Sequence, residues 1–306
     1  MQARALVVKA YSSYADVVLL ADLGDLKAGA LLPRVRLRGR LRQQARSVLT
    51  GDKVIVAVRR SGVKSAVVIE AVEPRTTELY RPPVANVDQV ILVFTLVQPE
   101  FNWALLDRQL VLAEAEELGV VLCLNKADLV EPEQIDPIVS VYRQIGYPVL
   151  VTSAKTGQGI DALEQALSHH ISVFAGQSGV GKSRLLNSLN PEFRLQTGAV
   201  SAKIGRGRHT TRYVQLLPLG DQGWVADSPG FNYLELQHLS KEELPFCFPE
   251  FRRLQTSCRF TNCLHHQEPG CAVKQALEQG DIHPQRYANY LDMLEELRQW
   301  EENQYR

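Results

Sequence analysis

The segment GQSGVGKS at 176–183 constrains this chain more than any other feature. It fits the phosphate-loop pattern, with Gly176, Gly181, Lys182 and Ser183 at the required spacing, after the strand-like run ISVFA at 171–175 and before the helix-like RLLNSLN. Such a loop needs a buried strand behind it and a helix N-terminus in front, which commits this part of the chain to an α/β layer. The glycines let the backbone curl so that the amides of Gly176, Gln177, Ser178, Gly179, Val180 and Gly181 converge on phosphate oxygens. Lys182 is placed to contact the terminal phosphates, and the Ser183 hydroxyl to hold magnesium. The plain alternative, a glycine-rich turn that binds nothing, is disfavoured by the strand and helix on either side.

Three regions follow from the pattern on each side of this motif. Residues 1–73 read as short strands at 17–23, 34–42, 53–58 and 66–72 between Gly and Asp turns, and a small β-barrel hides the edges of such strands. EPRTTELYRPP at 73–83 reads as a linker. Residues 74–235 then alternate strands (90–97, 120–124, 148–152, 171–175, 213–217, 224–226) with helix-like stretches, the signature of a doubly wound sheet; the last two strands form a hairpin through PLGDQG. Asn102 is set to cap the helix that starts at Trp103. Beyond 235 the strands stop, and residues 236–306 hold a Cys/His cluster and a helix with Tyr287, Leu291, Leu294 and Leu297 on one face. The fold expected is therefore multi-domain α/β.

The base is read elsewhere. NKAD at 125–128 ends the strand VVLCL, and its Asp128 can accept two hydrogen bonds from the N1–H and N2–H₂ edge of guanine, a donor pair adenine lacks. Asn125 and the Lys126 stem would brace the loop and cover the base, while SAK (Ser153, Ala154, Lys155) offers a backbone N–H to the guanine O6. Taken singly, NKAD could be an ordinary capping turn. DSPG at 227–230 supplies Asp227 for magnesium and the Gly230 N–H for a γ-phosphate. The order is unusual: NKAD and SAK precede the phosphate loop, whereas most proteins of this type place it first. A sheet whose ligand loops all leave the carboxyl ends of its strands tolerates such a permutation. GRGRHTTR at 205–212 occupies the position of a switch loop, with Thr210 or Thr211 closing on magnesium; Phe231 stands where many such proteins have a water-orienting glutamine after DxxG.

Two clusters remain. Cys258, Cys263, His265 and Cys271 supply three thiolates and an imidazole, a closed tetrahedral shell that suits a structural zinc, with His266 as an adjacent competitor. The formal net charge is zero, yet residues 1–75 hold 14 Lys and Arg against 6 Asp and Glu. Arg34, Arg36, Arg38, Arg40 and Arg42 alternate with apolar residues and Gly39, putting the guanidiniums on one strand face at a repeat of about 6.6 Å, comparable with phosphate spacing. A solvated charged face explains this pattern as readily as RNA does. The chain has no apolar run long enough to span a bilayer and no secretory leader at its start, so a cytosolic protein is expected.

The permuted motif order, barrel-like N-terminal part and C-terminal zinc knuckle resemble, over essentially the whole chain, the ribosome small subunit-dependent GTPase A family (RsgA, also called YjeQ or YloQ). That resemblance implies an oligonucleotide-binding barrel, a permuted GTPase domain and a zinc domain. It also implies late maturation of the small ribosomal subunit, with hydrolysis stimulated by that subunit. It favours rRNA as the partner of the arginine strand, His265 as the fourth zinc ligand, and His209, a switch-loop histidine, as the residue that positions water. A monomer using GTP with magnesium is expected; the competing reading is a GTP-gated assembly factor of another ribosomal particle with incidental hydrolysis.

Overall fold

The computed structural model describes residues 1–39, 47–61, 64–79, 83–193, 195, 214–220, 222–227, 235–236 and 238–304. The strands are β1 (Gln2–Ala10), β2 (Tyr14–Leu19), β3 (Leu31–Leu37), β4 (Lys53–Ser61), β5 (Lys64–Val72), β6 (Glu78–Leu79), β7 (Val84–Ala85), β8 (Gln89–Phe94), β9 (Gly119–Leu124), β10 (Val149–Val151), β11 (Ile171–Ala175), β12 (Gln215–Leu219) and β13 (Gly223–Asp227). The α-helices are α1 (Trp103–Ala115), α2 (Pro132–Ile145), α3 (Ile160–Leu167), α4 (Lys182–Leu189), α5 (Pro249–Arg252), α6 (Ala272–Gln279) and α7 (Pro284–Gln304). The chain separates into two compact units, one of residues 1–89, 164–174 and 189–231, the other of residues 90–163, 175–188 and 232–306.

In the first unit β1 pairs antiparallel with both β2 and β4, β2 pairs with β3, β3 runs parallel to β5, and β5 returns antiparallel to β4. The ring therefore closes in the order β1-β2-β3-β5-β4, that of an oligonucleotide-binding barrel, and leaves few edges exposed. Its core is made of inward-facing residues two apart: Ala3, Ala5 and Val7 on β1; Ala15, Val17 and Leu19 on β2; Val35 and Leu37 on β3; Val54 and Val56 on β4. Alanines among valines and leucines suit the narrow interior of a five-stranded ring. The strand β1 was not among those expected, because its QARA start lacks the β-branched residues that mark a strand; barrel closure, a tertiary contact, makes it one.

The expected strand at 34–42 begins earlier and ends at Leu37. Leu31 and Leu32 pair with Val18 and Val17 of β2, which draws the strand toward its N-terminal side. Beyond the barrel, β1 pairs through Lys9 with Gln215 of β12, and β12 forms the expected hairpin with β13, turning at Gly220 with φ +51°. The strand β13 runs parallel to β11.

The second unit stacks β10, β9 and β8 in that order, with β9 and β10 parallel. All six residues of β8 are buried, as a strand covered on both faces requires. Asn102 caps α1 by accepting from the Leu105 amide, and α2 starts in a capping box between Glu131 and Gln134. After residue 235 a separate apolar cluster gathers Phe248, Phe251, Tyr290, Leu294 and Leu297 and takes in Val111 of α1. Among the described residues no helix is long and apolar enough to cross a membrane.

Candidate nucleotide and metal sites

The phosphate loop leaves the end of β11 and runs into α4 with three glycines at positive φ, Gly176 (+130°), Gly179 (+87°) and Gly181 (+99°). Two of these admit no side chain for a second reason. A Cβ on Gly176 would lie 2.1 Å from the Val93 carbonyl oxygen, and one on Gly181 would lie 2.4 Å from Asn125 Nδ2. Ser178 and Gly179 are exposed and Val180 is buried beneath them, so the crest of the loop opens to solvent while its base is anchored. Lys182 Nζ donates to the carbonyls of Gly176 at 2.6 Å and Gln177 at 2.9 Å. Burial lowers its pKa to about 8, since no carboxylate offsets the desolvation of the ammonium. Ser183 follows in the first turn of α4, half-buried.

Asn125 ties this loop to the two that would read a base. Its Nδ2 donates to the Val180 carbonyl at 2.8 Å, while its Oδ1 accepts from the Ala154 amide and from Thr152 Oγ1, both at 3.2 Å. Lys126 adopts left-handed geometry with φ +62°, and its Nζ donates to the Gln98 carbonyl. Asp128 Oδ1 accepts from Ser153 Oγ at 2.6 Å, and Lys155 Nζ stands 3.5 Å from Oδ2. The Ser153 hydroxyl holds the Asp128 carboxyl below the ordinary carboxylate range, so it is ionised and acceptor-only at neutral pH. The structure thus brings together Asn125, Lys126, Asp128, Ser153, Ala154, Lys155 and residues 176–183. Asp227 ends β13 in the other unit. Gly230, His209 and Thr210 lie outside the described residues.

Sequence reasoning passed over Thr152 and Gln98. Thr152 is fully buried between Cys123 Sγ at 3.2 Å and Asn125 Oδ1, and its adjacency to SAK is the one signal that marks it. Gln98 acts through its backbone carbonyl and has no signature at all.

In the C-terminal part, Cys258, Cys263, His265 and Cys271 place their ligand atoms within 4.8 Å of one another. His265 Nδ1 lies 3.7 Å from Cys258 Sγ and 3.3 Å from Cys271 Sγ. Burial pushes the Cys263 thiol up to about 12, raises that of Cys271, and draws His265 down to about 4, leaving a neutral imidazole. Three sulfurs and one nitrogen converge at separations that a single tetrahedral cation spans, so the donor set fits a metal ion. His266 is turned elsewhere, with Nδ1 3.0 Å from Arg298 Nη1. The long helix α7 braces the cluster: Tyr287 and Tyr290 donate their hydroxyls to the carbonyls of His265 and Leu264.

On the barrel, Arg34, Arg36 and Arg38 are exposed while Val35 and Leu37 point inward, as alternation demands. The three are not equivalent. Arg34 has φ +53° and its guanidinium lies 4.6 Å from the Tyr14 ring centroid, whereas Arg38 approaches Glu70, which Arg59 also pairs. Arg40 and Arg42 lie outside the described residues.

A glycine-cradled phosphate loop, an Asn/Asp base loop bonded to it, and the position of that base loop ahead of the phosphate loop in the chain define a phosphate-loop GTPase with permuted motif order. Comparison with known proteins makes this particular. The family model described as RsgA GTPase matches residues 72–237, and the chain belongs to that family. A relative from Alkaliphilus metalliredigens, named small ribosomal subunit biogenesis GTPase RsgA, is 47% identical over 261 residues, covering 85% of this chain and 89% of its own. The crystal structure of YjeQ from Thermotoga maritima superimposes with a TM-score of 0.80 at 38% identity, covering 97% of this chain and 99% of its own. YloQ, described as a circularly permuted GTPase, gives 0.80 at 36%, covering 98% of this chain and 96% of its own.

Proposed function

We propose that this GTPase acts as a late maturation factor of the small ribosomal subunit, hydrolysing GTP to GDP and phosphate under stimulation by that subunit. The observation that carries the base reading is Asp128, an ionised carboxylate held by Ser153 in a loop that Asn125 bonds to the phosphate loop. The names of the close relatives support the cellular role. Asp128 accepts from the guanine N1–H and N2–H₂ edge, the Lys126 stem covers the base, and the 153–155 loop turns an amide to O6. The amides of 176–181 and the Lys182 ammonium, released from the carbonyls of Gly176 and Gln177, take the phosphates.

Ser183 and Thr210 are the proposed magnesium ligands, with Asp227 acting through water and the Gly230 N–H on the γ-phosphate. A magnesium ion held there with the nucleotide would supply positive charge against the phosphates. Phe231 cannot orient water, and the role falls to His209; His209→Ala is expected to abolish subunit-stimulated turnover while leaving GTP affinity intact. The Cys258, Cys263, His265 and Cys271 shell holds zinc in a structural role, because it leaves no open position. The arginine strand contacts rRNA backbone, and the protein works in the cytosol as a monomer.

Gradient sedimentation of the protein with ribosomal subunits and a non-hydrolysable GTP analogue tests this reading. Co-migration with the small subunit, lost when GDP replaces the analogue, is expected. Co-migration with the large subunit would refute it in favour of another particle.

A further inference from the structure

We propose that the barrel carries a stacking site for an unpaired RNA base, built from Arg34 of β3 layered on Tyr14 of β2. The proposal rests on the rRNA reading of the arginine strand and deepens it, adding contact with the face of a base to contact with phosphate.

The site starts from a fault in the β2–β3 ladder. Ala15 pairs with Val35 and Val17 with Leu32, so Asp16 alone stands opposite two residues, Pro33 and Arg34. That is a β-bulge, a device that re-aims a side chain out of the regular alternation. Proline suits the place, since it has no amide to give the ladder. Arg34 takes φ +53°, in the left-handed region that favours glycine. Asp16 holds it there: Oδ1 accepts the Arg34 amide at 2.8 Å, and Oδ2 accepts the Tyr11 hydroxyl at 3.3 Å. A charged residue kept in a strained backbone conformation that glycine would adopt without cost points to a task for its side chain.

That side chain lies on aromatic rings. The Arg34 guanidinium sits 4.6 Å from the Tyr14 ring centroid, and Tyr14 stacks on Tyr11 with centroids 4.4 Å apart and 30° between the planes. At the other end Lys9 Nζ stands 5.6 Å from the Tyr11 centroid. Both rings are half-buried while Arg34 is exposed, so the guanidinium is the solvent-facing layer of the stack. Arg36, which pairs with Tyr14 across the ladder, is exposed beside it. Shape and charge together select the ligand. A guanidinium is planar and weakly hydrated, and a nucleobase stacks on it as it does on an aromatic ring. Paired bases show only their edges in the grooves, so the face must come from an unpaired nucleotide. The base arrives with its phosphate, which Arg36 and the 14 Lys and Arg against 6 Asp and Glu of residues 1–75 attract. Stacking reads no base edge, so the site tolerates any sequence.

Calorimetric titration of hexa-adenylate at low salt tests the proposal, using the full-length protein loaded with zinc and with GDP so that its nucleotide site is filled. Saturable binding is expected, with an upfield shift of the Arg34 Nε–H signal as adenine stacks over it. A hexamer of the same ribose–phosphate chain without bases is expected to bind about tenfold more weakly or worse. Arg34→Lys keeps the charge and loses the planar face, and is expected to weaken hexa-adenylate binding about tenfold while leaving its salt slope unchanged. Tyr14→Leu keeps an apolar side chain but removes the ring, and is expected to act in the same way. Equal binding of the base-free chain overturns the proposal, as does failure of hexa-adenylate to saturate. Wild-type affinity in Arg34→Lys also overturns it, and this exposed position serves should Tyr14→Leu not fold. The rRNA reading is tested apart from these results, by co-migration with the small subunit.

Discussion

Asp128 carries the choice of purine, and its neighbours show how a single carboxylate is kept ready for that task. Ser153 accounts for one of its oxygens and Lys155 approaches the other, so the charge is retained without a tight ion pair that guanine would have to displace. Replacing it by Asn removes one acceptor and offers an amide donor in its place, which suits the C2 carbonyl of xanthine. Asp128→Asn is expected to weaken GTP binding about 100-fold, the loss of two charge-assisted bonds, and to favour XTP in competition binding. Lys182 makes a different prediction. Its pKa in the free protein is about 8, and phosphate oxygens raise it in the complex. Affinity is therefore complete below the free-state value and falls as pH rises through it, by up to about tenfold per unit, with proton uptake on binding. Calorimetry of GTP binding between about pH 7 and about pH 9, in buffers of differing ionisation enthalpy, checks the sign. NKAD and GQSGVGKS were legible as motifs because spacing alone expresses them. The Lys182 contacts with Gly176 and Gln177, and the support Thr152 gives Asn125, depend on atoms that only the folded loops bring within 3.2 Å.

Helices α1 and α7 are joined by the most deeply buried charges in their unit. Asp107 is fully buried and Arg286 nearly so, and Asn289 and Tyr142 complete the bonding. Asp107→Asn leaves Arg286 paired with Glu250 but weakens the charge-assisted bonds from Arg286 and Asn289, so it is expected to destabilise the protein by about 1.5–3 kcal/mol in urea unfolding. The cysteine cluster is the second such joint. Its backbone is held by Tyr287 and Tyr290 of α7, so the metal and the helix stabilise one another. Chelation is expected to lower the melting temperature and to release the near-UV signal of these tyrosines, with recovery on adding zinc; an unchanged melt would refute a structural metal. The Cys/His spacing was legible in the sequence. The Asp107–Arg286 pair was not, because 179 positions separate partners that no periodicity relates.

Across the whole chain the basic character is concentrated in the barrel, and its strength there is decided by neighbours. Arg38 shares Glu70 with Arg59, so its guanidinium is partly neutralised, while Arg34 and Arg36 have no carboxylate within salt-bridge range among the described residues. Replacing Arg34 and Arg36 by Gln is expected to weaken small-subunit binding and reduce its salt slope by about 0.7 to 0.9 for each phosphate that is no longer neutralised. Arg38→Gln is expected to change it less. Binding measured across a salt series separates the two cases; an equal slope in all variants would remove the arginine strand as an rRNA-binding surface.

Short-range chemistry was determined by the order of residues alone: which loop carries glycines at phosphate-loop spacing, which carboxylate can read guanine, which thiols stand close enough in the chain to share an ion. These are legible because each is expressed over a few consecutive residues. Only the tertiary structure decided that Gln2–Ala10 is a strand, since it becomes one by closing the barrel between β2 and β4. It also decided that His265, and not His266, turns toward the cysteines, and that Glu250 is left with one oxygen unserved. Each of these depends on what lies across the fold from a residue, and neither pattern nor propensity along a chain records that.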